Sequence, residues 1–121
     1  MDLQKMVSAI KALPDYDKVG MIACHNGVVR ATSRDGRRVA GLEVHADRKA
    51  LEEVLEQMRG RPGIIAVTAH IWEGYRQVGD DVMLVAVAGD IRDHVFPVLE
   101  ETVDRLKKAA SSKEEFFLDE D

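Results

Sequence analysis

The sequence predicts an α+β domain, a mostly antiparallel sheet with helices packed on it. Three observations predict it. Apolar residues recur at helical spacing in three separate stretches. Short β-rich runs lie between them. The resulting order, α-β-β-β-α-β-β-α, contains no regular βαβ series, which excludes a Rossmann-type parallel sheet. With 121 residues the chain has the size of one domain and can bury a core without disulfides or metal.

The first helix is expected over residues 2–13. Leu3, Met6, Val7, Ile10 and Leu13 form its apolar stripe, Asp2 can cap it and Pro14 stops it. Residues 14–17 read as a turn. Two β-rich runs, 19–24 and 28–32, flank Asn26-Gly27, where Gly27 marks a bulge or close backbone approach within one long bent strand. Ser33-Arg34-Asp35-Gly36 is a turn, and residues 39–45 return as the partner strand.

The second helix, 47–59, starts at a capping Asp47 and carries Leu51, Val54, Leu55 and Met58 on one face; Gly60 and Pro62 end it. Residues 64–72 and 82–88 are expected to pair as a hairpin. The last helix begins at about Arg92–Asp93, because Pro97 is tolerated only near a helix start. Residues 1–110 thus form the domain, and 111–121 read as an acidic, flexible tail. Its Phe116-Phe117-Leu118 could fold over a groove as a lid.

Composition narrows the function. The net charge of −5 argues against nucleic acid as the main partner, although Arg30, Arg34, Arg37 and Arg38 make a local basic cluster suited to a small anion. No apolar run is long enough to span a bilayer, and no signal peptide is apparent. The single Cys24 cannot form an internal disulfide, which fits a cytoplasmic protein. The histidines 25, 45, 70 and 94 have no zinc-like spacing, so no metal and no cofactor is expected. Cys24-His25 reads as a buried strand cysteine beside a surface histidine. Trp72 reads as closing a core edge. Glu52-Glu53 and Glu100-Glu101 read as solvated helix faces. The remaining constellation is cationic: Arg30, Arg92, Lys107 and Lys108. Arginine offers a planar fork for phosphate, and a lysine among cations can act as base or nucleophile.

The order of these motifs resembles the catalytic (large) subunit of molybdopterin synthase, the MoaE-like family. The resemblance rests on Gly27-Val28-Val29-Arg30 after the first strand, Leu42-Glu43-Val44-His45 closing the next, and Gly79-Asp80 before the last. It continues through Arg92 at the final helix start, Phe96 one turn on, and Asp104-Arg105-Leu106-Lys107 near its end. It spans roughly residues 8–110 and implies an α/β-hammerhead fold. The implied function lies in molybdenum cofactor biosynthesis: sulfur passes from a thiocarboxylated small subunit to cyclic pyranopterin monophosphate, forming the dithiolene of molybdopterin. The implied partners are that ubiquitin-like sulfur carrier with its C-terminal Gly-Gly, the anionic pterin, and a second copy of this chain.

Residue by residue, the resemblance makes Lys107 catalytic and places Arg30, Arg92 and Lys108 on the substrate. Two positions depart from the family pattern. Ile91 stands where a His precedes the arginine, and Glu114 stands where a second lysine is expected, leaving Lys113 as the adjacent candidate for that role. Arg92 and Lys107 are fifteen positions apart in one helix, roughly 22 Å at the α-helical rise. The resemblance resolves this by sharing the pocket across a homodimer. The alternative function is a catalytically silent homologue that binds a ubiquitin-like tail or a pterin as a regulatory or scaffold module.

Overall fold

A computed structural model describes residues 1–118. The acidic end expected of the tail, Asp119, Glu120 and Asp121, lies outside the described residues.

Helix α1 spans Leu3–Lys11, and the Asp2 carboxylate accepts the Lys5 N–H at 2.8 Å. Strand β1 is Met21–Val28 and β2 is Val39–Ala46. Helix α2, Arg48–Arg59, is capped by Asp47, which accepts the Ala50 N–H at 3.1 Å. Strands β3 (Ile64–Ile71), β4 (Gly74–Gln77) and β5 (Asp81–Gly89) follow. Helix α3 is Arg92–Ala109 and strand β6 is Ser111–Phe117. Pro97 sits inside α3 early enough that its missing N–H costs the helix one bond without ending it.

The expected antiparallel α+β architecture is present, with its strands divided between two sheets. The first sheet has the order β1-β5-β3, and both pairings are antiparallel. Its central strand explains the layering. Met83, Val85 and Val87 of β5 join the main core with Val54, Met58, Val95 and Leu106 from α2 and α3. The alternate residues Leu84, Ala86 and Ala88 pack against Met6 and Ile10 of α1. A strand buried on both faces reads as a continuous apolar run rather than an alternating one.

The second sheet has the order β4-β2-β6, again antiparallel. Leu42 and Val44 of β2 bury themselves in the main core, so this sheet closes the domain beside α3. Among the described residues, no helix is long and apolar enough to cross a membrane.

Three expectations are corrected. The bent strand stops at Val28, where the register shifts beside Gly27; beyond it only an isolated bridge joins Thr32 to Arg38. β2 therefore takes β4 and β6 as partners, not residues 28–32. Residues 111–117, expected as part of an acidic, flexible tail, form β6, and Phe117 packs against the core. Pairing with β2 satisfies the backbone groups on one side of that polar segment, a contact that local sequence does not foretell.

Candidate functional site

A cavity of about 620 Å³ opens where β1 ends, α3 ends and β6 begins. Each cation lining it is placed by a distinct local constraint. Arg30 follows β1, in a segment whose preceding residue, Val29, is buried and held by Val29 N–H to the Asp80 carbonyl at 2.9 Å. The Arg30 Nε donates to the Thr32 carbonyl at 2.8 Å, which folds the side chain along its own loop. Arg34 comes from the turn 33–36, closed by the Gly36 N–H on the Ser33 carbonyl at 3.0 Å.

Lys107 stands in the last turn of α3. Lys113 lies on β6 opposite Val44 of β2. The cavity therefore gathers Arg30, Lys107 and Lys113 from three separated parts of the chain, with Arg34 beside them. Its apolar wall comes from Val29, Val39, Leu42 and Val44. Glu115, two residues beyond Lys113 on β6, also lines it.

Arg92 and Lys108 are not among the lining residues. Both are exposed, and Arg92 lies at the opposite end of α3 from Lys107. Ile91, the N-cap residue of α3, is likewise exposed at 51%. Beside it, the Asp90 carboxylate accepts the Ile91 N–H at 2.7 Å and lies 2.8 Å from His94 Nδ1.

The Cys24-His25 expectation is reversed. Cys24 is exposed, and His25 turns inward with Ala23 on the side of β1 that faces α3. His25 lines the cavity, and its Nε2 is shut away from solvent without a hydrogen-bond partner among the described residues. Burial first, and the Lys107 charge second, push its imidazole below the usual histidine pKa. The ring has room because position 27 is glycine: a Cβ there would stand 3.3 Å from Nε2. No local sequence signal marks this face; it follows from where β1 lies against α3.

Trp72 behaves as expected, packing against the α1-side core with His70 edge-on at 4.6 Å between ring centroids. The Glu100-Glu101 expectation is half right, since Glu101 pairs with Arg61 and, at 2.8 Å, with Arg105. No group of three or more His, Cys, Asp or Glu that could hold a metal occurs among the described residues.

Chemically, the cavity suits an anion with an apolar or flat body. Cations of a partly enclosed wall hold phosphate or carboxylate more strongly than they would in open water.

Comparison with known proteins follows the same line. The MoaE protein family matches residues 1–109. A probable molybdopterin synthase of Haloferax volcanii is 30% identical over 129 aligned positions, covering 96% of this chain and 49% of that protein. The chain thus spans about half the length of that curated relative. The structure of molybdopterin synthase from Staphylococcus aureus superposes with a TM-score of 0.81 at 21% identity, covering 98% of this chain and 87% of the other. A complex of subunits 1 and 2 of molybdopterin-converting factor from Helicobacter pylori gives 0.72 at 16% identity, with 97% and 80% covered. At those identities the two structures speak to the fold.

Proposed function

The chain belongs to the MoaE protein family, and from that membership we propose that it is the large subunit of a molybdopterin synthase. In this reading it moves sulfur from the thiocarboxylated C-terminus of a small ubiquitin-like carrier to cyclic pyranopterin monophosphate. Each transfer leaves the carrier with an ordinary carboxylate, so the two dithiolene sulfurs require two charged carriers.

The observation that carries the proposal is the meeting of Arg30, Lys107 and Lys113 in one cavity. Both reactants are anionic, the pterin through its phosphate and the carrier through its C-terminal thiocarboxylate. Lys107 is the catalytic group at the thiocarboxylate, Lys113 assists it from β6, and Arg30 holds the substrate. Arg92, outside this cavity, acts in the site through a homodimer, where the α3 start of one chain completes the cavity of the other, and Lys108, beside Lys107 in the last turn of α3, adds substrate-binding charge. The Helicobacter pylori complex supports a small-subunit partner.

Glu115 in the cavity wall favours a second reading. A carboxylate beside Lys113 opposes the negative charge that the lysines must meet at the thiocarboxylate, and on this reading the chain binds a carrier tail or pterin through its remaining cations, more weakly and without turnover. One experiment separates the two. The protein is mixed with thiocarboxylated carrier and cyclic pyranopterin monophosphate, and dithiolene product is measured. Product that disappears in Lys107→Ala supports the synthase; binding of both reactants without product supports the silent homologue.

A further inference from the structure

The cations account for the charged parts of a ligand, and one enclosed ring nitrogen among the residues lining the cavity, the Nε2 of His25, is left without a hydrogen-bond partner among the described residues. An enclosed polar atom that makes no hydrogen bond forfeits its hydration, and such atoms are few in folded proteins. Around it the wall is apolar at Val29, Leu42 and Val44 and cationic at Arg30, Lys107 and Lys113. It also carries hydroxyls at Thr32, Ser33, Ser111 and Ser112 and the Glu115 carboxylate. A neutral ring nitrogen can additionally read the polar edge of a heterocycle.

We propose that His25 is a further substrate-contacting residue, whose imidazole turns its enclosed Nε2 out from beside Gly27 to exchange a hydrogen bond with the ring edge of the bound heterocycle, while Arg30 and Lys113 hold the anionic part. The inference rests on the synthase reading, which supplies a ligand with both features. Three observations support it. Burial first, and the Lys107 charge second, favour the neutral imidazole, in which one ring nitrogen accepts and the other donates. Gly27 leaves the ring the space it occupies, since a Cβ at that position would sit 3.3 Å from Nε2. His25 and Lys107 come from different elements, β1 and α3, so the pair reads a ligand from two sides. His25 also borders a second, smaller hollow with Phe96, Leu99 and Val103, which gives the ring space on its other side.

The test follows the His25 Cε1–H resonance of the full chain during titration with cyclic pyranopterin monophosphate and, separately, with inorganic phosphate. The pterin is expected to shift the His25 signal, and phosphate alone to leave it in place. His25→Phe is expected to weaken pterin binding about three- to tenfold, the scale of one hydrogen bond, without changing phosphate affinity. His25→Gln, which keeps a donor and an acceptor, should recover most of the loss. Pterin binding with an unmoved His25 signal overturns this inference and leaves the synthase reading standing. Equal weakening of phosphate and pterin by His25→Phe also overturns it, as a purely structural effect. Failure of the wild-type chain to bind the pterin overturns the synthase reading and this inference together. The wild-type titration depends on no variant's folding.

Discussion

Tyr75 of β4 leans across β2 over Gly41, so closely that a Cβ at position 41 would enter its phenol ring and stand 2.7 Å from the Arg76 carbonyl oxygen. Gly41 also faces Phe116 of β6 in register, and the Tyr75 and Phe116 rings lie 5.9 Å apart. The glycine thus lets an aromatic pair bridge the outer strands of the second sheet. Gly41→Ala is expected to destabilise the protein by about 1–3 kcal/mol, because the Arg76 backbone cannot swing away as a side-chain tip can. Thermal unfolding measures it. A melting temperature equal to wild type would mean that the sheet absorbs the methyl.

That sheet also marks where the sequence ceased to be legible. The helices were readable because Leu51, Val54, Leu55 and Met58, or Met6 and Ile10, repeat at one spacing and are buried where that spacing places them. The run 82–88 was readable as a strand because it is apolar throughout. β4 and β6 have no such pattern. Ser111–Phe117 begins with five polar residues and becomes a strand through its pairing with β2, a contact distant in sequence. The site divided in the same way. Arg30 and Lys107 entered through family resemblance, whereas His25 looked like a surface residue. Its inward face depends on where β1 runs relative to α3, a tertiary fact that the adjacent Cys24 does not encode.

Truncation after Ala110 follows from β6. It removes Lys113 from the cavity and strips β2 of one edge partner, leaving its hydrogen-bonding groups facing water. A lid would give tighter carrier binding once deleted. The strand predicts the opposite: lower thermal stability and weaker binding of both carrier and pterin, measured by calorimetry. Tighter carrier binding by the truncated chain would restore the lid.

Acid should weaken the fold in two stages. Burial, joined by the Lys107 charge, lowers the folded pKa of His25; burial first also lowers that of His70. As pH falls below the ordinary imidazole value of about 6.5, the unfolded chain takes up protons that the folded chain refuses, so stability drops until the lowered folded values are passed. The second stage belongs to carboxylates. Hydrogen bonds from Arg61 to Glu101 and from His94 to Asp90 hold both below the usual range. Their contribution is intact above the unfolded values of about 4 and is lost as pH falls through the folded ones. Denaturant melts from pH 8 to pH 3 should show both stages, with His25→Phe reducing the first and Glu101→Gln the second. A single stage below pH 4 would show that the imidazoles titrate alike in both states.

Whether one chain suffices for chemistry turns on Arg92 and Lys107, which sit at opposite ends of the same helix. If the α3 start of one chain completes the cavity of its partner, neither Arg92→Ala nor Lys107→Ala alone has an intact site. A mixed dimer of the two variants does have one. The Lys107 of the Arg92→Ala chain meets the Arg92 of the Lys107→Ala chain, while the other cavity lacks both. With random exchange half the dimers are mixed, so turnover should recover to about one quarter of wild type after the two inactive variants are unfolded and refolded together. Variants that each act within a single chain would give no recovery, since every cavity would then retain its own defect. Recovery also requires each variant to fold, and both side chains are exposed, so their loss leaves the core untouched.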